Sequence, residues 1–271
     1  MQTESQSYLM ENTDEEKRLD IKTDPDAVRE QALWFGIGSG ARVLDVGCGP
    51  GKTTALLHEL IQPGGEAVGV DIAESRIKHA RAFYGGRKGI AFEIKDIRLP
   101  IKDLGQFDFI WVRFVLEYYR EGALDIIKNI SNNLKPGGCM CLLDLDHNCL
   151  CHWEMPRSME TILIKAMHHA QDHYNFDLYA GRKFYAHLYD LGFEDINVNL
   201  VPHHLIYGEL KSSDEFNWMK KLEVGALKAP KIFESYPGGS KKFLEDFRMF
   251  FKDPRRFTYS PLILCKGRKP L

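Results

Sequence analysis

The residues best equipped for chemistry begin with Leu44-Asp-Val-Gly-Cys-Gly-Pro-Gly51, where an acid stands two places before the first of three alternate glycines. Glycines at 47, 49 and 51 let a backbone turn sharply and approach a ligand without side-chain collisions. A dinucleotide fingerprint needs its last two glycines three apart, and here they are two apart. A carboxylate at Asp45 would also face a pyrophosphate with like charge, whereas it suits a cationic ligand. About 20 residues beyond the loop, Asp71 in AVGVDI can accept two ribose hydroxyls. Taken alone, that acid fits a nicotinamide dinucleotide as well. In Lys95-Asp96-Ile97 a third carboxylate can receive an adenine amino group while Ile97 packs on the ring. Three acids ending three successive strands outline an adenosine-shaped site with no phosphate clamp.

Other chemistry-bearing residues favour plainer readings. Cys139, Cys141, Cys149 and Cys151, with His147 and His152, mimic a zinc-site spacing. Period-two spacing puts Cys139 and Cys141 on one face of a buried strand, with no reason to meet the other pair, so no metal is expected. Arg113 can serve a ligand or pair with Glu117 four residues on. Arg182 is expected to pair with an acid such as Asp177. His147 is singled out among the histidines because it follows the fifth strand, where a substrate should approach.

Apolar runs alternate with amphipathic stretches from about 42 to 146, the pattern of a parallel sheet covered on both faces. Strands are expected at 42–46, 67–72, 90–95, 107–113 and 138–145, with helices at 52–61, 74–84 and 122–134 that close at Gly-Gly pairs. Residues 148–180 break the alternation and read as a helical cap inserted over the ligand-binding edge. A helix at 181–191, a strand at 194–205, helices at 213–227 and 240–251 and a strand at 256–266 follow. The 271-residue chain has a net charge of −2 with cations scattered among acids, which argues against a nucleic-acid partner. It has no apolar run of membrane-spanning length and a polar, acidic N-terminus, so no membrane span and a cytoplasmic location with reduced thiols are expected.

As a set in this order, DVGCGPG, VDI, KDIRLP, FDFIWVRFVLEY and LKPGG resemble the class I S-adenosylmethionine-dependent methyltransferases, in particular the quinone-biosynthesis and natural-product type. The resemblance is strong over about 31–146 and weak elsewhere. It implies an α/β, Rossmann-like, doubly wound seven-stranded sheet of order 3-2-1-4-5-7-6, with RFTYSPLILCKGRK as the antiparallel seventh strand. The implied cofactor is S-adenosyl-L-methionine, a sulfonium with an amino-acid ammonium group. Asp45, Gly47 and Gly49 would surround its methionine part, Asp71 would hold the ribose, and Asp96 and Ile97 would meet the adenine. Arg113 and Phe114 would flank the sulfonium, and Cys48 and Ile72 complete the cofactor-binding set. The chain departs from the family at Tyr118, where related enzymes often carry His. An N-terminal lid at 1–30, with Tyr8 as its ligand-covering residue, would precede a methyltransferase domain at 31–271.

The expected reaction is in-line methyl transfer to a small-molecule acceptor through oxygen, nitrogen or carbon. His147 would act as base where the nucleophile needs deprotonation. A homodimer is left open. The alternatives are an NAD-dependent Rossmann oxidoreductase and a cofactor-binding scaffold without catalysis.

Overall fold

In the computed structural model, which describes Leu19 and residues 23–271, the apolar runs form one sheet. Its strands are β1 (Arg42–Val46), β2 (Glu66–Asp71), β3 (Ile90–Ile94), β4 (Phe107–Arg113), β5 (Leu134–Leu145), β6 (Glu194–Ile206) and β7 (Thr258–Arg268). Their order is β3-β2-β1-β4-β5-β7-β6, as the resemblance implies. The first five strands pair in parallel, and β7 runs antiparallel between β5 and β6.

Period-two alternation divides the core into two faces. One face gathers Leu44, Val46, Val70, Ile110 and Leu142 under α4 (Ala123–Ser131) and α6 (Ala180–Asp190). The other gathers Val43, Ala67, Trp111, Cys139, Cys141 and Leu143 under α1 (Pro25–Phe35) and α2 (Lys52–Leu60). The α3 helix (Glu74–Tyr84) packs Ile77 and Ala80 on Phe92 of β3. Helix ends follow their local chemistry. Asp24 caps α1 by accepting from the Asp26 and Ala27 N–H groups, with Pro25 at the first helical position.

A separate helical layer covers the far end of the sheet. It combines α5 (Arg157–Tyr174) with α7 (Ser212–Lys228), α8 (Pro230–Glu234) and α9 (Gly239–Lys252). Phe243, Phe247 and Phe251 recur at helical spacing along α9 and, with Trp218 and Phe233, are almost fully buried. Burial of each ring contributes roughly 1.5–3 kcal/mol. The layer therefore uses the segment between β6 and β7 as well as the expected insertion at 148–180.

A second difference concerns β5, which begins at Leu134 rather than near 138. Leu134 pairs with Phe107, and a register shift follows between Phe107 and Phe109. The Gly137 N–H donates to the Lys269 carbonyl, so the Lys-Pro-Gly-Gly stretch continues the sheet instead of ending a helix. The cysteine spacing also resolves structurally. Cys139 and Cys141 share the sheet core, whereas Cys149 packs against the helical layer.

Candidate functional site

The glycine loop is tied down by backbone donors. Gly47 and Cys48 donate their N–H groups to the Val70 carbonyl at 2.8 and 2.9 Å, locking the end of β1 to β2. Gly49 N–H donates to Asp71 Oδ2 at 3.0 Å, and Ala73 N–H donates to Asp71 Oδ1 at 2.9 Å. One carboxylate thus fixes both the loop and the entrance to α3 while keeping further lone pairs for a ligand. Gly47 has φ +69°, and a Cβ there would fall 2.4 Å from Val115 Cγ2. Gly51 has φ +97°, and its Cβ would fall 2.7 Å from that of Ala80. Both positions require glycine on conformational and steric grounds.

A cavity of about 450 Å³ opens above this loop at the carboxyl ends of β1 to β4. It brings together Gly47, Cys48, Gly49, Asp71, Ile72, Asp96, Ile97, Arg113 and Phe114, all predicted from sequence. Ile97 is buried while Ile72 is 54% exposed, so the two offer apolar surface at different depths. Asp96 is bound by Arg98, whose Nε and Nη2 donate to its two oxygens at 2.9 and 2.7 Å. The hydrogen bond from Arg98 is the main cause holding the Asp96 carboxyl below its usual range.

Asp45 lies beneath the cavity rather than on its wall. Its Oδ2 accepts a 2.6 Å hydrogen bond from the Thr54 hydroxyl of α2. Burial pushes its carboxyl from 3.8 to about 7, against the opposing pull of the Thr54 hydrogen bond and the Arg113 cation. Burial also lowers the Arg113 guanidinium to about 10, with Asp45 and Asp144 opposing. Arg113 donates to Gln31 Oε1 at 3.1 Å and lies over the Phe114 ring at 4.3 Å. It does not take Glu117 as its partner, because the Glu117 carboxylate instead accepts from Asn148 Nδ2 at 2.9 Å.

Three further expectations land elsewhere. His147 is exposed, lies outside the cavity lining and sets its ring edge-on to Tyr179 at 5.1 Å. Its backbone turns at φ +47° directly after β5, which removes it from the position expected of a base. Arg182 forms a bidentate pair with Asp146 at 2.7 Å, while Asp177 is taken by Lys183. Tyr8 lies outside the described residues.

Sequence reasoning missed part of the cavity lining, namely Leu19, Thr23, Glu117, Tyr119 and Tyr174. Glu117 stands in the FVLEY motif, where spacing alone offers it only as a partner for Arg113. Tyr174 ends an 18-residue helix, and no local pattern marks that end as facing a site nearly 60 residues earlier in the chain.

Residues 37–223 match a family model described as a methyltransferase domain. The demethylmenaquinone methyltransferase of Staphylococcus aureus (strain JH9) is 29% identical over 111 residues, covering 41% of this chain and 45% of that protein. The ubiquinone biosynthesis O-methyltransferase of Bordetella avium (strain 197N) is 32% identical over 114 residues, covering 40% and 44%. Each match therefore spans less than half of the relative's length. Phosphoethanolamine N-methyltransferase 2 of Haemonchus contortus, solved with S-adenosyl-L-methionine, shares the fold. Its TM-score is 0.54 at 16% identity, covering 91% of this chain and 53% of that one.

Proposed function

Because the chain belongs to the methyltransferase domain family, we propose that it transfers a methyl group from S-adenosyl-L-methionine to a small organic acceptor. The observation that carries this reading is the single cavity uniting the glycine loop with Asp71, Asp96 and Ile97 at successive strand ends. Asp71 accepts the ribose hydroxyls, and Asp96 and Ile97 hold the adenine. Gly47, Cys48 and Gly49 bring backbone against the methionine part, Arg113 and Phe114 flank the sulfonium, and Ile72 covers the nucleoside. Asp45 acts from below, through the field of its buried carboxyl and its hold on Thr54.

When bound, the cofactor supplies an electrophilic methyl group whose transfer disperses positive charge. The chain's own part is alignment and the exclusion of water. Residues 1–30 serve as the lid, a role supported by Leu19 and Thr23 in the cavity wall. The helical layer selects the acceptor through Tyr174. A small acceptor agrees with cations scattered among acids in a chain of net charge −2. The cytosol is the proposed compartment, in keeping with six free cysteines. No helix among the described residues is long and apolar enough to cross a membrane.

Calorimetric titration with S-adenosyl-L-methionine and, separately, with NADH tests the reading. Saturable binding of the first alone, weakened in Asp71→Ala, is the expected result. NADH binding without sulfonium binding would transfer the site to the oxidoreductase alternative. Formation of S-adenosylhomocysteine with any acceptor excludes a scaffold without turnover.

A further inference from the structure

The cavity wall contains a carboxylate that the cofactor assignment leaves unused. Glu117 is only 3% exposed and lines the cavity directly after β4. Its position is fixed from three sides. The Glu117 N–H donates to Asp144 Oδ2 at 3.0 Å, the Asp177 N–H donates to the Glu117 carbonyl at 2.7 Å, and Asn148 Nδ2 donates to Glu117 Oε2 at 2.9 Å. The second oxygen, Oε1, has no hydrogen-bond partner among the described residues.

The surrounding cations do not neutralise this carboxylate. Among the described residues no Lys, Arg or His lies within ion-pair distance of Glu117, whereas Arg98 is held by Asp96, Arg76 faces Asp71 and Lys95 pairs with Asp103. Arg113 lines the same cavity but turns its Nε to Gln31. A buried carboxylate without a counter-ion is costly, and an arriving cation relieves that cost. Tyr118 and Tyr119 stand in the same wall, and aromatic faces favour a cation over an anion.

Resting on the methyl-transfer reading above, we propose that the acceptor is a primary or secondary amine and that Glu117 recognises its nitrogen. The amine arrives as an ammonium ion paired with Glu117 and gives up one proton to bulk water; the neutral amine then donates a remaining N–H to Glu117 Oε1, and its lone pair forms the new bond to the methyl carbon. The carbon–sulfur bond breaks with its electron pair remaining on sulfur. Positive charge thereby passes from the sulfonium to the methylated nitrogen, which faces the Glu117 carboxylate as that charge develops. No separate base is needed for the bond-forming step. The product ammonium supplies the counter-ion missing from the wall. This assignment departs from the ubiquinone biosynthesis O-methyltransferase, which matches only 40% of this chain.

The test uses full-length protein saturated with S-adenosylhomocysteine and titrated calorimetrically with phenethylamine, tyramine, 4-ethylphenol and phenylacetate. The two amines are expected to bind at least tenfold more tightly than 4-ethylphenol, with phenylacetate weakest. Glu117→Gln keeps an acceptor for Asn148 but removes the charge. It should weaken the amines at least tenfold, leave 4-ethylphenol unchanged and hold S-adenosylhomocysteine affinity within twofold. Glu117→Asp should restore part of the amine preference. Equal amine binding by Glu117→Gln, preference for the phenol, or failure of both amines to bind the saturated wild type overturns the inference. Failure of wild type to bind S-adenosylhomocysteine overturns the parent reading instead, and the amine assignment with it.

Discussion

On the β1–β3 side of the cavity, the ligand-facing groups are backbone and carboxylates fixed within a short span of chain, from Gly47 to Ile97. Elsewhere in the lining they come from Phe114, Glu117 and Tyr174, which meet only after the helices dock on the sheet. The first wall is held by hydrogen bonds between adjacent strand ends, such as Gly49 N–H to Asp71 22 residues on. The second is held by long-range contacts such as Asn148 to Glu117 and the Tyr174 hydroxyl to the Lys228 carbonyl. On the proposed function, the first wall would hold the cofactor and the second would meet the acceptor.

The hardest blow to the first wall is Gly47→Ala. A methyl group placed 2.4 Å from Val115 Cγ2 at φ +69° must displace the loop. Cofactor affinity should fall by more than about 100-fold, since ångström-scale displacements carry losses of that order. Calorimetry and circular dichroism together separate loss of binding from loss of fold. Retention of wild-type affinity would show that the loop is not the cofactor's rigid support.

The two regions should also respond oppositely to pH. Burial raises the Asp45 carboxyl to about 7, so the unfolded chain releases this proton near 3.8 and the folded chain near 7. Stability from this group is complete below about pH 4 and is lost as pH rises through 7, by as much as roughly 4 kcal/mol. Burial lowers His152 to about 4, where its ring packs edge-on against Trp218 and Phe247 of the helical layer. Stability from His152 is complete above about pH 6.5 and is lost as pH falls through 4, by up to about 3 kcal/mol. Between pH 4 and 7 the two contributions oppose each other, so in thermal unfolding Asp45→Asn should make stability rise more steeply with pH over that range, and His152→Gln should make it fall more steeply. If either variant left the pH dependence of stability unchanged, its group would not titrate differently in the folded and unfolded chain.

Asp71→Ala removes a charged acceptor for two backbone N–H groups. A loss of about 2 kcal/mol in cofactor binding, or roughly thirtyfold, is expected from calorimetry. Tyr174→Ala provides the complementary test on the assembled wall. Cofactor affinity should change by less than about threefold, while the acceptor KM rises about tenfold with kcat retained. Equal damage to cofactor binding by Tyr174→Ala and Asp71→Ala would erase the distinction between the walls.

Legibility in sequence follows the same division. The strand order came with the family resemblance, and Gly47, Asp71 and Ile97 could be brought to one cavity because they lie in consecutive motifs at successive strand ends. Asp45 is expected beside the ligand, and its position beneath the wall depends on Thr54 in the following helix. Glu117 and Tyr174 could not be assigned together, since nothing local specifies that an α5 terminus will meet the β4 exit. Arg182 shows the same limit on a smaller scale. An acidic partner was foreseen, yet docking of α6 selected Asp146 over Asp177.

The helical layer has a consequence for transplantation. Its two chain excursions are stitched at the base by the His152–Thr258 bridge, with Trp153 N–H donating to the Phe257 carbonyl and Tyr259 N–H to the Cys151 carbonyl. Trp218 and the α9 phenylalanines share one core with Met159, Ile162, Leu163 and Ala166 from the other excursion. A chimera carrying just one excursion would expose half of that interior and invite aggregation. Exchanging both between sheets, with their stitched bases intact, would move Tyr174 and its packing as one inheritable module while leaving the glycine loop and Glu117 in place.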